Sequence, residues 1–84
     1  MIEVLSPMPV AMRVIDGRGS YDPGPLAELV AAARTGWLGE TIAVRASEPE
    51  TVEEVIAWVS SEGHGLIGLY ERRGYEEVIV EVRR

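Results

Sequence analysis

The chain has 84 residues, 46% of them hydrophobic, which is enough for one folded domain and too apolar for a disordered tract. Its formal charge of −6 argues against a direct nucleic-acid partner, because such binding depends on cations that neutralise phosphates. It contains no cysteine, which excludes disulfides, thiolate metal sites, iron–sulfur ligation and persulfide chemistry on its own residues.

Residues 1–11 form an N-terminal arm, with an apolar stub (Ile2, Val4, Leu5) interrupted by Pro7 and Pro9. It is expected either to fray or to add a short strand to a sheet edge. It lacks a basic n-region and an apolar h-region, and no run in the chain approaches the roughly 18 apolar residues of a membrane span. A cytoplasmic protein without membrane contact is the resulting expectation.

The domain proper occupies residues 12–84. Met12 to Asp16 reads as a first strand, with Met12 and Val14 on one face, Arg13 on the other, and Ile15 blurring the alternation. Gly17, Gly19, Ser20, Pro23 and Gly24 make a dense turn. The stripe Leu26, Leu29, Val30 and Ala33 predicts an amphipathic helix ending near Gly36. Asp22 suits the N-cap of that helix and Pro23 its first helical position. Trp37 and Leu38 fall in the following turn, where an aromatic either plugs the end of a small core or anchors a partner.

Thr41 to Ala46 is a second strand. A second helix spans about Glu50 to Glu62 on the stripe Val52, Val55, Ile56 and Val59, with Trp58 flanking it. Ser47 with Glu50 and Thr51 with Glu54 each fit a capping box, and Gly63 is a natural stop. His64, the single histidine, follows that stop and suits a capping or strand-start role; a dyad with Asp22 would require hydrogen-bond reach. One histidine and no cysteine leave no basis for a metal site.

Gly65 to Glu71 and Tyr75 to Val82 form a hairpin through Arg72, Arg73 and Gly74, with Tyr70 and Tyr75 placed to pack as a cross-strand pair. The order β-α-β-α-β-β, with one apolar stripe on each helix, predicts an α/β two-layer sandwich: a mixed four-stranded sheet with both helices on one face. The bare face, with Ile67, Leu69 and Ile79 expected on it, or a sheet edge, would then be open to self-association. Glu48, Glu50, Glu53 and Glu54 make an acidic cluster, and Arg72, Arg73, Arg83 and Arg84 gather late in the chain; these read as solvated surfaces or as a docking surface. All eight basic residues are arginine and Asn and Gln are absent; depletion of Asn, Gln and Cys is a tendency of thermophile proteins, and codon bias could produce the same pattern.

The segment from Asp16 through Arg18, Gly19, Asp22, Pro23, Gly24 and Pro25 to Leu26 resembles the signature of the TusA/SirA sulfur-carrier family, roughly Asp-x-Arg-Gly-x-x-Cys-Pro-x-Pro-Leu. Every fixed position matches except the cysteine, which is Asp22 here. Gly39-Glu40 before the second strand, Glu48-Pro49 before the second helix and Gly63-His64 after it match the family's later features, so the likeness covers about residues 12–83.

The resemblance implies a thiolate at a helix start, where unpaired N–H groups and the helix dipole favour an anion, used to accept and pass on sulfane sulfur with partner enzymes. Asp22 keeps the negative charge, but a carboxylate oxygen cannot hold sulfane sulfur stably. No catalytic residue and no cofactor are therefore assigned. The expectation is a non-catalytic, partner-binding or regulatory relative of sulfur-relay proteins, with Arg18, Gly19, Asp22, Pro23, Gly24, Pro25 and His64 as candidate binding residues. Arg18 is expected to pair with Asp22, or to bind an anion. The alternatives are a small-ligand or enzymatic site using Asp22 as acid or base with Arg18 or His64, and a self-associating structural module.

Overall fold

Four runs of β-branched and small residues pair into one sheet, and two amphipathic segments cover one side of it. The computed structural model describes residues 13–19 and 24–83, in the order β1 (Arg13–Asp16), α1 (Pro25–Thr35), β2 (Thr41–Ala46), α2 (Pro49–Ser61), β3 (Gly65–Arg72) and β4 (Tyr75–Glu81). The arm and Met12 lie outside the described residues. The strands lie in the order β1-β2-β4-β3, with β1 parallel to β2 and the other pairs antiparallel. The β-α-β-α-β-β order and the mixed sheet are as expected.

The core lies between sheet and helices. Ile42, Val44 and Ala46 of β2 and Val78 and Val80 of β4, with Val82 just beyond it, meet Leu29, Ala32 and Ala33 of α1 and Val52, Val55 and Val59 of α2. Leu26, Ile56 and Trp58 pack against this cluster from its margin. Fully burying a side chain such as Leu29 contributes about 1.5–3 kcal/mol, so these positions carry much of what holds the two layers together.

In β1 the facing differs from the sequence reading. Ile15 pairs with Val44 and is buried, whereas Val14 pairs with Ala43 on the bare face and stays 48% exposed. Which face of a four-residue strand points inward is decided by the register with β2, and helices cover only Ile15's side.

The bare face differs too. Of the three residues expected there, Ile79 is on it but buried, because β4 is an inner strand with Ala43 and Gly68 on either side. Leu69 pairs with Val78 and so belongs to the helix side, and Ile67 stands out of register between Leu66 and Gly68 in a β-bulge. Both are exposed because β3 is an edge strand. Tyr70 and Tyr75 are not cross-strand partners: the register sets Tyr70 against Glu77 and Tyr75 against Arg72.

Helix starts depart from the capping expectations. The N-cap of α1 is Gly24, at φ 93° and ψ 159°, with Pro25 as the first helical residue. An L-side chain is strained there, so the chain enters the helix through a glycine and needs no side-chain cap. Gly24 and Pro25 thus take the N-cap and first helical positions expected for Asp22 and Pro23, which lie outside the described residues. In α2 the N-cap is Glu48 without a side-chain hydrogen bond, so neither capping box forms. The stop of α2 is as expected. Gly63 donates to the Ser60 carbonyl at 3.3 Å and His64 N–H to the Val59 carbonyl at 3.0 Å, the paired bonds of a Schellman motif.

Candidate functional site

The residues that follow β1 gather at the end of the sheet where β1 and β2 finish and the β3–β4 hairpin turns. Gly17 leaves β1 by donating its N–H to the Arg45 carbonyl at 2.8 Å, which continues the parallel ladder by one bond. This sets the chain beneath Pro25. A cleft of about 160 Å³ opens there, lined by Gly17, Gly24 and Pro25 on one side and by Ser47, Glu48 and Thr51 on the other. A second, of about 240 Å³, continues from Ser47, Glu48 and Pro49 to Arg72, Gly74 and Tyr75 of the hairpin. The start of α1, the β2–α2 loop and the hairpin tip therefore share one surface.

Arg18 is held by Asp16. Its Nε and Nη2 each donate to a different carboxylate oxygen at 2.7 Å, and its backbone N–H adds a third bond at 3.2 Å. This two-pronged pairing fixes the guanidinium, because Asp16 is only two residues away and ends a strand held in the sheet; the expected partner Asp22 lies outside the described residues. The hydrogen bonds from Arg18 hold the Asp16 carboxyl well below the usual carboxylate range, and Asp16 in turn raises the guanidinium.

The guanidinium of Arg18 also lies over the Tyr75 ring, 4.6 Å from its centroid, and Arg45 approaches the same ring at 5.9 Å. Arg45 then donates to Glu77 at 3.1 Å. Glu77 receives Arg72 from the other side at 2.9 Å, and Arg72 lies over Tyr70. Hydrogen bonds from Arg72 and then Arg45 lower the Glu77 carboxyl despite its burial. A continuous ladder of three arginines, two carboxylates and two tyrosines thus runs across the bare face from β1 to β3.

Of the expected site, the structure places Gly24 and Pro25 together at the cleft beside Gly17, with Arg18 and Gly19 following Gly17 in the chain and Arg18 turned to Asp16 and Tyr75, while Asp22 and Pro23 lie outside the described residues. It does not bring His64 to them. His64 precedes β3, whose first residue pairs with the last residue of β4, so it stands at the opposite end of the sheet. There its Nδ1 accepts the Arg83 N–H at 2.9 Å and its ring stacks on Trp58 at 5.1 Å between centroids. The capping role holds, and the grouping of His64 with the helix-one start is withdrawn.

Sequence reasoning missed Arg45, Tyr75 and Glu77. The available signal was their alternation, with Tyr75 and Glu77 two apart on β4, but placing Arg45 beside them requires the register. Among the described residues no group of three or more His, Cys, Asp or Glu side chains is arranged to hold a metal ion. Among them, too, no helix is long and apolar enough to cross a membrane.

Two helices on one face of a 1-2-4-3 sheet, with a proline-led first helix set over the exit of β1, define a small two-layer α/β domain whose signature end is open to solvent. The family described as Sulfurtransferase TusA matches residues 13–84. Over 70 residues the chain is 33% identical to the "Putative sulfur carrier protein" of Archaeoglobus fulgidus, covering 83% of this chain and 96% of that one. The chain belongs to the TusA sulfurtransferase family, and it is a member without any cysteine.

Proposed function

We propose that this protein docks a partner of sulfur-relay chemistry through the start of α1, the β2–α2 loop and the hairpin tip, and carries no sulfur itself. The observation behind this reading is an intact family scaffold around a missing thiol. Gly17, Gly24 and Pro25 line the cleft and Arg18 is fixed by Asp16, yet the chain has no sulfur nucleophile at position 22 or elsewhere. A permanent carboxylate at Asp22 offers a partner the charge of a thiolate without its reactivity. Partners would then be occupied or regulated rather than supplied.

Use of Asp22 as an acid or base is the weaker reading, because His64, one of its two proposed assistants, is at the far end of the sheet from the start of α1.

The test pairs transfer with competition. Incubated with a cysteine desulfurase and sulfur-labelled cysteine, the protein stays unlabelled, yet added in excess it slows transfer from that enzyme to a thiol-bearing relative. Stable label on this chain overturns the non-carrier role. Transfer that proceeds undiminished at about a hundredfold excess, where even weak docking would compete, overturns the docking role.

A further inference from the structure

We propose that the opposite end of the domain is a self-association surface, on which Trp37 of each copy seats in a cleft of a second copy. Trp37 is 77% exposed and Leu38 67% exposed, so the expectation that they plug the core is overturned. The α1–β2 turn holds them outward.

That turn is locked from every side. Glu40 N–H donates to the Trp37 carbonyl at 3.1 Å, and Gly39 between them has φ 84°, as the third residue of a type II turn requires. Gly39 N–H donates to the Val82 carbonyl at 2.8 Å, and Val82 N–H to the Glu40 carbonyl at 2.9 Å. The Glu40 side chain, 5% exposed, accepts the Trp37 N–H at 3.2 Å with one oxygen and meets Arg13 at 2.9 Å with the other. Gly36 makes room for it: a Cβ there would stand 2.6 Å from Glu40 Oε1. Two large apolar side chains are thus displayed on a rigid mount, and the entropy of ordering that mount is lost in folding rather than in binding.

Beside this protrusion lies an open cleft of about 330 Å³, lined by Ala33, Arg34, Trp58, Glu62, His64 and Arg83. Arg34 is three residues before Trp37, and Arg83 follows the Val82 that anchors the turn, so protrusion and recess share one end of the molecule. The stacked Trp58 and His64 rings and the guanidinium of Arg83 suit an indole, which takes aromatic contact and a cation on its face. A surface carrying both a knob and its recess complements a copy of itself about a twofold axis, with each contact made twice. The contact would bury on the order of 1,000 Å², near the lower bound for a specific interface. The dimer is accordingly weak and concentration-dependent, and it leaves the α1 start of both copies uncovered.

Sedimentation velocity on the full chain, over about 5 to 500 µM, should show a rising sedimentation coefficient. Trp37→Ala, with an unchanged circular dichroism spectrum, should weaken association about 10- to 30-fold. Because the chain has no cysteine, Leu38→Cys and Glu62→Cys, both at exposed positions, introduce unique thiols. A short bismaleimide should then couple a mixture of the two variants more than either alone. A chain that stays monomeric, a dimer that Trp37→Ala leaves unchanged, or coupling no greater in the mixture overturns the proposal.

Discussion

A Cβ placed on Gly17 would stand 2.4 Å from Cγ of Pro25 and 2.7 Å from the Arg45 carbonyl oxygen. Backbone at the exit of β1 therefore touches both the first helical residue and the neighbouring strand, which sets the height of α1 above the sheet end. Gly17→Ala should destabilise the domain by about 1–3 kcal/mol through overpacking. Urea denaturation measures it, and a loss below about 0.5 kcal/mol, the range of neutral surface changes, would contradict this account.

Glu77 joins Arg45 and Arg72 while largely buried, and both hydrogen bonds favour its ionised form. Its folded pKa lies below the ordinary 4.5. Its contribution is thus complete above that value and disappears as pH falls through the lower folded one. Glu77→Gln should cost about 1.5–3 kcal/mol at pH 7, the range for hydrogen bonds to charged groups, and flatten the acid side of the stability profile. If the variant and the parent lose stability in parallel between pH 5 and pH 2, Glu77 is not the group responsible.

Asp22→Cys should give one thiol per chain where the parent has none. Titration with a disulfide reagent counts it, and mass spectrometry after incubation with a cysteine desulfurase and free cysteine, the sulfur source, should show the mass of one added sulfur. A variant whose thiol reacts normally but never gains sulfur would mean that the scaffold has lost its donor contacts, against the proposed docking role.

The absence of Asn, Gln and Cys leads us to expect a melting midpoint above about 65 °C, the upper end for mesophile domains. Calorimetry at neutral pH decides this. A midpoint near 50 °C would leave codon bias as the better explanation.

Much of the architecture was legible because burial repeats with the period of the element. Val52, Val55 and Val59 lie on one helical stripe, so α2 and the side it buries could be read directly; on β4 the spacing of Val78 and Val80 revealed the strand, but Glu77 and Ile79 beside them are buried too. Readings that depended on a neighbour failed. In Arg13–Asp16 four residues offer too little alternation to choose a face, and pairing with β2 chose Ile15.

Asp22 looks like a cap when only its own chemistry is considered. Gly24 takes that place through a backbone conformation that side-chain chemistry does not reveal. The pairing of Arg18 with Asp16 was not read from the sequence, because it depends on a turn that brings a carboxylate two residues away to the guanidinium. For Trp37 the sequence left a core plug and a partner anchor both open, since what turns it outward is Glu40, lodged under the turn and tied to Arg13.

Tyr75–Glu81 is the last of the described strands in chain order, yet it occupies an inner position of the sheet, between β2 and β3. Until those residues leave the ribosome, β2 lacks a neighbour on one side and β3 has none. The nascent chain can build at most a two-stranded fragment, so the domain assembles only after nearly all of it has been synthesised. A stop codon before Tyr75 would remove the central seam of the fold rather than trim its edge.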